Sequence, residues 1–136
     1  MITAIDTNVL VDHLSASPQF GESSTAAIRR CSAEGRLIIS EVVLAETVAG
    51  FGRQDAALAA LEALNIDFVP SDVASAAGAG EAWHRYRTSG GARTRLVADF
   101  LVGAHAIARA ERLLTRDRGF YRRYFADLSI FDPTTA

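Results

Sequence analysis

Short apolar runs alternating with helix-length amphipathic stretches constrain the fold of this chain more than any other feature. Ile2–Ile5, 37–39, 66–69, Arg112–Leu114 and 128–131 read as strands. Helical patterns fill 8–14, 20–33, 41–49, 54–64, a stretch from a Ser71 cap to Arg87, 97–110 and 120–125. Gly35, Asn65 and the glycines at 50 and 52 supply stops, Ser40 supplies an N-cap, and residues 89–91 a loop. Gly78 and Gly80 weaken the helix toward Arg87, and Leu58, Leu61 and Leu64 mark the buried face of the 54–64 helix. Strands joined through helices imply βαβ crossovers, and so an α/β fold with a mainly parallel sheet and helices on both faces. Chemistry in such sheets sits outside the carboxyl ends of the strands.

The 136 residues are enough for one domain with its own core. No linker, repeat or charge block divides them, so residues 1–133 read as the domain and 134–136 as a frayed tail. A chain 49% hydrophobic and 22% charged is not intrinsically disordered. With Cys31 its only cysteine it has no disulfide framework, and that thiol reads as a small buried hydrophobe. No apolar run approaches the roughly 18 residues of a membrane span. The start lacks a basic region and Asp6 breaks its apolar stretch, so a cytoplasmic domain is expected.

The net charge of −2 conceals a split. All fourteen basic residues are arginine, and ten of them fall between Glu81 and Tyr124 against four acids. The remainder holds four arginines and twelve acids. Such a split suits a face for a polyanion or acidic partner, or a solvated arginine-rich surface.

Two carboxylates follow strands directly: Asp6 after the first and Asp117 after the fourth. In parallel strands they emerge at one edge. Each also has a structural role open to it, Asp6 as a helix N-cap and Asp117 as a turn residue before Gly119. Glu46 and Asp99 have apolar residues three and four positions away, which predicts carboxylates projecting from apolar helix faces. That is costly unless they are paired or bind a metal. Asp99 can instead complement a helix dipole, as can Glu41, and Glu46 can pair with an arginine. Four converging carboxylates call for a cation. All-oxygen donors suit Mg²⁺ or Mn²⁺ rather than zinc, and His13, His84 and His105 show no metal spacing. Such an ion orients and activates water against a phosphate, with Arg93, Arg95, Arg116 and Arg118 placed to hold flanking phosphates. The expected chemistry is phosphodiester hydrolysis. The chain has no Walker A loop and no G-x-G-x-x-G, and Gly78-Ala79-Gly80 is a weak signal inside a helix.

Ile5-Asp6-Thr7-Asn8-Val9-Leu10, Leu44-Ala45-Glu46, Asp99–Ala106 and Leu114–Tyr121, in that order and spacing, resemble the PIN-domain ribonucleases, and among them the VapC-type toxins of toxin–antitoxin pairs. The resemblance runs from Met1 to about Pro133, although residues 16–34 match no family motif. It implies a single three-layer α/β/α sandwich with a central parallel sheet. It puts Asp6, Glu46, Asp99 and Asp117 on a catalytic quartet that binds Mg²⁺ or Mn²⁺, with Asn8 and Thr115 supporting it through hydrogen bonds. It also implies endonucleolytic RNA cleavage, a homodimer and a small cognate antitoxin. The alternatives are a PIN nuclease without an antitoxin and a PIN fold kept as a binding module. A receiver-type signalling domain needs an acceptor Asp after the third strand, where Val69-Pro70 stands, and a lysine, which the chain lacks. A haloacid-dehalogenase-like phosphatase needs an Asp where Asn8 stands.

Overall fold

Strands that lack a polar face have to be covered on both sides. In a computed structural model, which describes residues 1–90 and 95–135, Ala4, Ile5, Leu37, Ile38, Ile39, Leu113 and Leu114 are all at most 2% exposed. They belong to β1 (Ile2–Ile5), β2 (Arg36–Ile39) and β4 (Arg112–Leu114), which with β3 (Ile66–Phe68) and β5 (Ile130–Phe131) form one sheet. The order is β3-β2-β1-β4-β5 and every pairing is parallel. Seven helices connect and cover the strands among the described residues: α1 (Thr7–Leu14), α2 (Gly21–Glu34), α3 (Glu41–Phe51), α4 (Gln54–Ala63), α5 (Val73–Thr88), α6 (Val97–Arg109) and α7 (Arg118–Tyr124). This is the expected three-layer α/β/α sandwich.

Winding runs outward from β1 through β2 to β3, then returns to β4 on the other side of β1. The direction reverses between β1 and β4, and such a reversal opens a crevice at the carboxyl ends of the two strands. Register fixes what lines it. Ile5 pairs with Leu114, so the next residues, Asp6 and Thr115, leave the sheet side by side.

Several boundaries differ from the sequence expectation. The cap of α5 is Asp72, whose carboxylate accepts from the Ser75 amide at 2.8 Å, while the Ser71 amide donates to Glu41 Oε2 at 2.8 Å. Gly78 and Gly80 do not interrupt that helix. On α4 the buried residues are Ala57 and Leu61, and Leu58 is 49% exposed. Helix α7 starts at Arg118 rather than 120, and β5 is shorter than the apolar run that suggested it. Asn65 adopts a left-handed conformation at φ 56°, as a stop residue should. Thr134 donates from its amide and hydroxyl to Asp132, while Gly91, Arg93 and Ala136 lie outside the described residues.

An aromatic cluster ties the last helices together. Phe100, fully buried on α6, packs its ring 5.4 Å from Tyr86 of α5 and 5.2 Å from Phe120 of α7. Gly103 lets α6 approach Phe125, whose ring lies 2.5 Å from where a Cβ would stand. The consequence is positional: Asp99 and Asp117, at the starts of these two helices, are held on one rigid unit.

Candidate active site

Asp6 is the central side chain. It caps α1, its Oδ1 accepting from the Thr7 amide at 2.8 Å, so the structural role available to it is filled. Its Oδ2 accepts from the Thr115 hydroxyl (2.8 Å), the Tyr121 hydroxyl (3.2 Å) and Asn8 Nδ2 (3.3 Å). The carboxylate is nevertheless only 8% exposed, and burial pushes its pKa up to about 6. Bonds from Thr115, Thr7 and Tyr121 pull the other way, and the charge of Glu46 adds to the rise. Burial and the neighbouring Asp6 hold the Tyr121 phenol far above its ordinary value, so this hydroxyl stays protonated and donates.

Hydrogen bonds and ion pairs link the other three acids to Asp6. Glu46 Oε1 accepts from the Thr7 hydroxyl at 2.7 Å. Thr115 Oγ1 accepts from the Asp117 amide at 3.0 Å and from Asn8 Nδ2 at 3.3 Å, which ties the loop after β4 to the loop after β1. Asp117 receives both terminal nitrogens of Arg95, at 2.5 and 3.1 Å, and the same guanidinium stands 3.8 Å from Asp99. Asp99 also fills the helix-start role, accepting from the Leu96 amide at 3.2 Å. All four acids thus gather at the β1/β4 crevice. Among the described residues, however, no three Asp, Glu, His or Cys side chains converge closely enough to hold one ion as they stand.

Glu46 departs from the expectation of a carboxylate set in an apolar face. The buried residues of α3 are Val43 and Thr47, and Glu46 lies beside them, exposed, reaching the site from its rim. Its partner is a hydroxyl rather than an arginine.

The arginines also differ from expectation. Arg116 gives its guanidinium to Asp12, at 2.6 and 3.1 Å, over the ring of Phe20. Arg118 stands 3.5 Å from Asp132 and Arg95 is seated on the acids, so the three described candidates are all ion-paired. His105, the one buried histidine, directs Nε2 to the Val69 carbonyl at 2.6 Å, and burial holds its pKa down.

Sequence reasoning missed Thr7, Tyr121 and Asp12. Asp12 is 5% exposed, pairs with Arg116 and accepts from the Ser24 hydroxyl at 3.0 Å. The signal for it was present: a lone carboxylate among Val9, Leu10, Val11 and Leu14, one helical turn after Asn8.

A family model for the PIN domain matches residues 3–126. The chain belongs to the PIN-domain family. PIN domains are nucleases and generally use divalent metal ions. No curated protein matches the chain. Among solved structures it is similar to VapBC2 of Rickettsia felis bound to a promoter DNA fragment (TM-score 0.75, 20% identity, covering 97% of this chain and 98% of that one). It is also similar to VapBC-1 of nontypeable Haemophilus influenzae (0.73, 21%, 98% and 99%) and to FitAB bound to a DNA fragment (0.72, 24%, 98% and 95%). At these identities the likeness is one of fold.

The donors present fit a divalent ion of the kind PIN domains use. They are all hard carboxylate oxygens. An arginine already supplies positive charge to two of them, and buried Asp6 is held by neutral donors, with no ion pair among the described residues. The raised pKa has a signed consequence. Folded Asp6 holds its proton more tightly than the unfolded chain, whose ordinary value is 3.8. Its contribution to stability is therefore fullest below pH 4 and is lost as pH rises through 6, by roughly 3 kcal/mol. Carbon-13 NMR of the Asp6 carboxyl in EDTA should show a midpoint near 6. Saturating Mg²⁺ should pull it below about 4. A metal-free midpoint at the ordinary value would contradict the desolvated site.

Proposed function

We propose that this PIN domain is a metal-dependent endoribonuclease acting in the cytoplasm as the toxin of a toxin–antitoxin pair. The observation that carries the reading is the linked set Asp6, Glu46, Asp99 and Asp117 at the β1/β4 crevice, with Asn8 and Thr115 bonded to its buried member. Mg²⁺ or Mn²⁺ held by these acids would supply an activated water and stabilise charge on the phosphate. The residues themselves orient and screen. Asn8, Thr115 and Tyr121 fix Asp6, and Thr7 holds Glu46 at the rim. Water attacks phosphorus and the P–O3′ bond breaks to leave a 3′-hydroxyl. From the arginine-rich segment Arg93 is the candidate left for flanking phosphates, whereas Arg116 is paired with Asp12, Arg118 with Asp132 and Arg95 with the acids of the site.

The toxin assignment is supported by the fold likeness to VapBC complexes over nearly the whole length of both chains. A small cognate antitoxin and a homodimer follow from that reading. No helix among the described residues is long and apolar enough to cross a membrane. The test inspects the gene immediately upstream for a short reading frame and incubates purified protein with structured RNA in Mg²⁺ or Mn²⁺, then in EDTA, then with the product of any such frame; a solitary gene counts against the toxin reading. Metal-dependent cuts inside the RNA that this partner suppresses are expected. Undamaged RNA in all arms overturns the nuclease reading, and cleavage that the partner leaves untouched overturns only the toxin reading.

A further inference from the structure

We infer that Arg95 is a built-in competitor for the cation: its guanidinium occupies Asp117 and Asp99 in the metal-free protein and is released when an ion takes them. The inference rests on the metal-dependent reading above and adds to it a residue with a defined exchange. Arg95 lies 22 positions from Asp117 in the chain, yet it forms a two-pronged contact with that carboxylate and stands 3.8 Å from Asp99. A planar fork on a carboxylate satisfies the same lone pairs that a metal ion would use.

The contact is built rather than incidental. Arg95 stacks its guanidinium 4.4 Å above the buried Phe120 ring. Its carbonyl accepts from Trp83 Nε1 at 3.3 Å, which anchors the backbone at that point. Phe120 is three residues beyond Asp117 and packs on Phe100, the residue after Asp99. The same aromatic unit therefore carries the arginine and both of its acids. The side chain is also 31% exposed, so it can leave without unpacking the core.

The exchange follows from charge. Four carboxylates at one crevice repel one another in the absence of a counter-charge, and Arg95 supplies one from within the chain. A divalent ion brings two charges to the same oxygens and frees the guanidinium. Released at the rim of the site, it meets the next available anion, a substrate phosphate. Arg95 thus lowers metal affinity in the free protein and gains a phosphate contact only in the loaded one.

The experiment measures Mn²⁺ binding by calorimetry, with thermal melting in EDTA, for the wild type, Arg95→Gln, Arg95→Lys and Arg122→Gln. Arg122 is an exposed arginine of α7 and controls for loss of one positive charge. Competition predicts that Arg95→Gln binds Mn²⁺ at least fivefold more tightly, while its EDTA melting temperature falls. Arg95→Lys, which keeps the charge without the fork, should lie between it and wild type. Arg122→Gln should stay within twofold of wild type. Unchanged or weaker Mn²⁺ binding by Arg95→Gln overturns the inference, as does an equal gain in Arg122→Gln. Absence of Mn²⁺ binding in every protein overturns the inference and the metal-dependent reading together, so the two failures are distinguishable.

Discussion

Asp99→Asn should leave a folded protein that has lost RNA cleavage by more than about 100-fold. Changing a group that merely orients a metal ligand typically costs 10–100-fold, and removing a ligand's charge should exceed that. Folding should survive, because the amide oxygen of Asn can still accept from the Leu96 amide, the bond that Asp99 makes at the start of α6. The 3.8 Å contact with Arg95 is lost, but that arginine keeps its closer two-pronged hold on Asp117. Relief of repulsion among the remaining acids offsets part of the loss, so the metal-free melting temperature should move by no more than a few degrees. Melting in EDTA paired with a cleavage assay in Mn²⁺ checks both halves. A well-folded Asp99→Asn protein that cuts RNA at the wild-type rate would remove Asp99 from the site.

The neighbouring substitution should do the opposite. Phe100→Ala removes a fully buried ring that packs on Tyr86, Phe120, Tyr124 and Phe125. Truncation of such a residue costs about 3–5 kcal/mol, the transfer energy of the ring plus the cavity it leaves. In a domain of this length that lowers the melting temperature by roughly 10–20 °C. Cleavage by the fraction still folded should fall only modestly, because Phe100 places Asp99 and Asp117 without touching substrate. Urea unfolding gives the stability change directly, and a cost below about 1 kcal/mol would show that the aromatic unit does not hold α6 and α7 together.

Adjacent positions on α6 thus offer a test that separates chemistry from packing, and only the acid was singled out from the sequence. From the sequence, an acid in the first turn of a strongly apolar helix read either as a ligand or as a helix-start acid, and Asp99 does accept from the Leu96 amide, while the core role of Phe100 was shown only by its packing. Strand placement singled out Asp6 and Asp117. A carboxylate directly after an apolar strand must emerge at the sheet edge, since the strand's direction leaves it nowhere else. Glu46 was singled out on an argument that the structure does not support. Helical spacing placed it among apolar residues, but the buried stripe of α3 passes through Val43 and Thr47, and Glu46 joins the site from outside.

Local periodicity located the strands and helices, though not their exact bounds, because each depends on residues within one or two turns; the alternation of the two then implied the parallel sheet and the edge on which the acids stand. The family likeness, carried by four short motifs in order, came from the sequence as well. Partner choice was decided only in three dimensions. Arg95 and Asp117 are 22 residues apart, Arg116 and Asp12 104, Tyr121 and Asp6 115, and no spacing rule links any of these pairs. Charge composition showed ten arginines in one segment and suggested a face for phosphates. The tertiary structure instead committed two of them, Arg116 and Arg118, to buried aspartates and seated Arg95 on the acidic site. The physical reason is that a buried carboxylate claims donors from whatever elements pack beside it, a guanidinium for Asp12 and hydroxyls and amides for Asp6, and packing is a property of the whole fold.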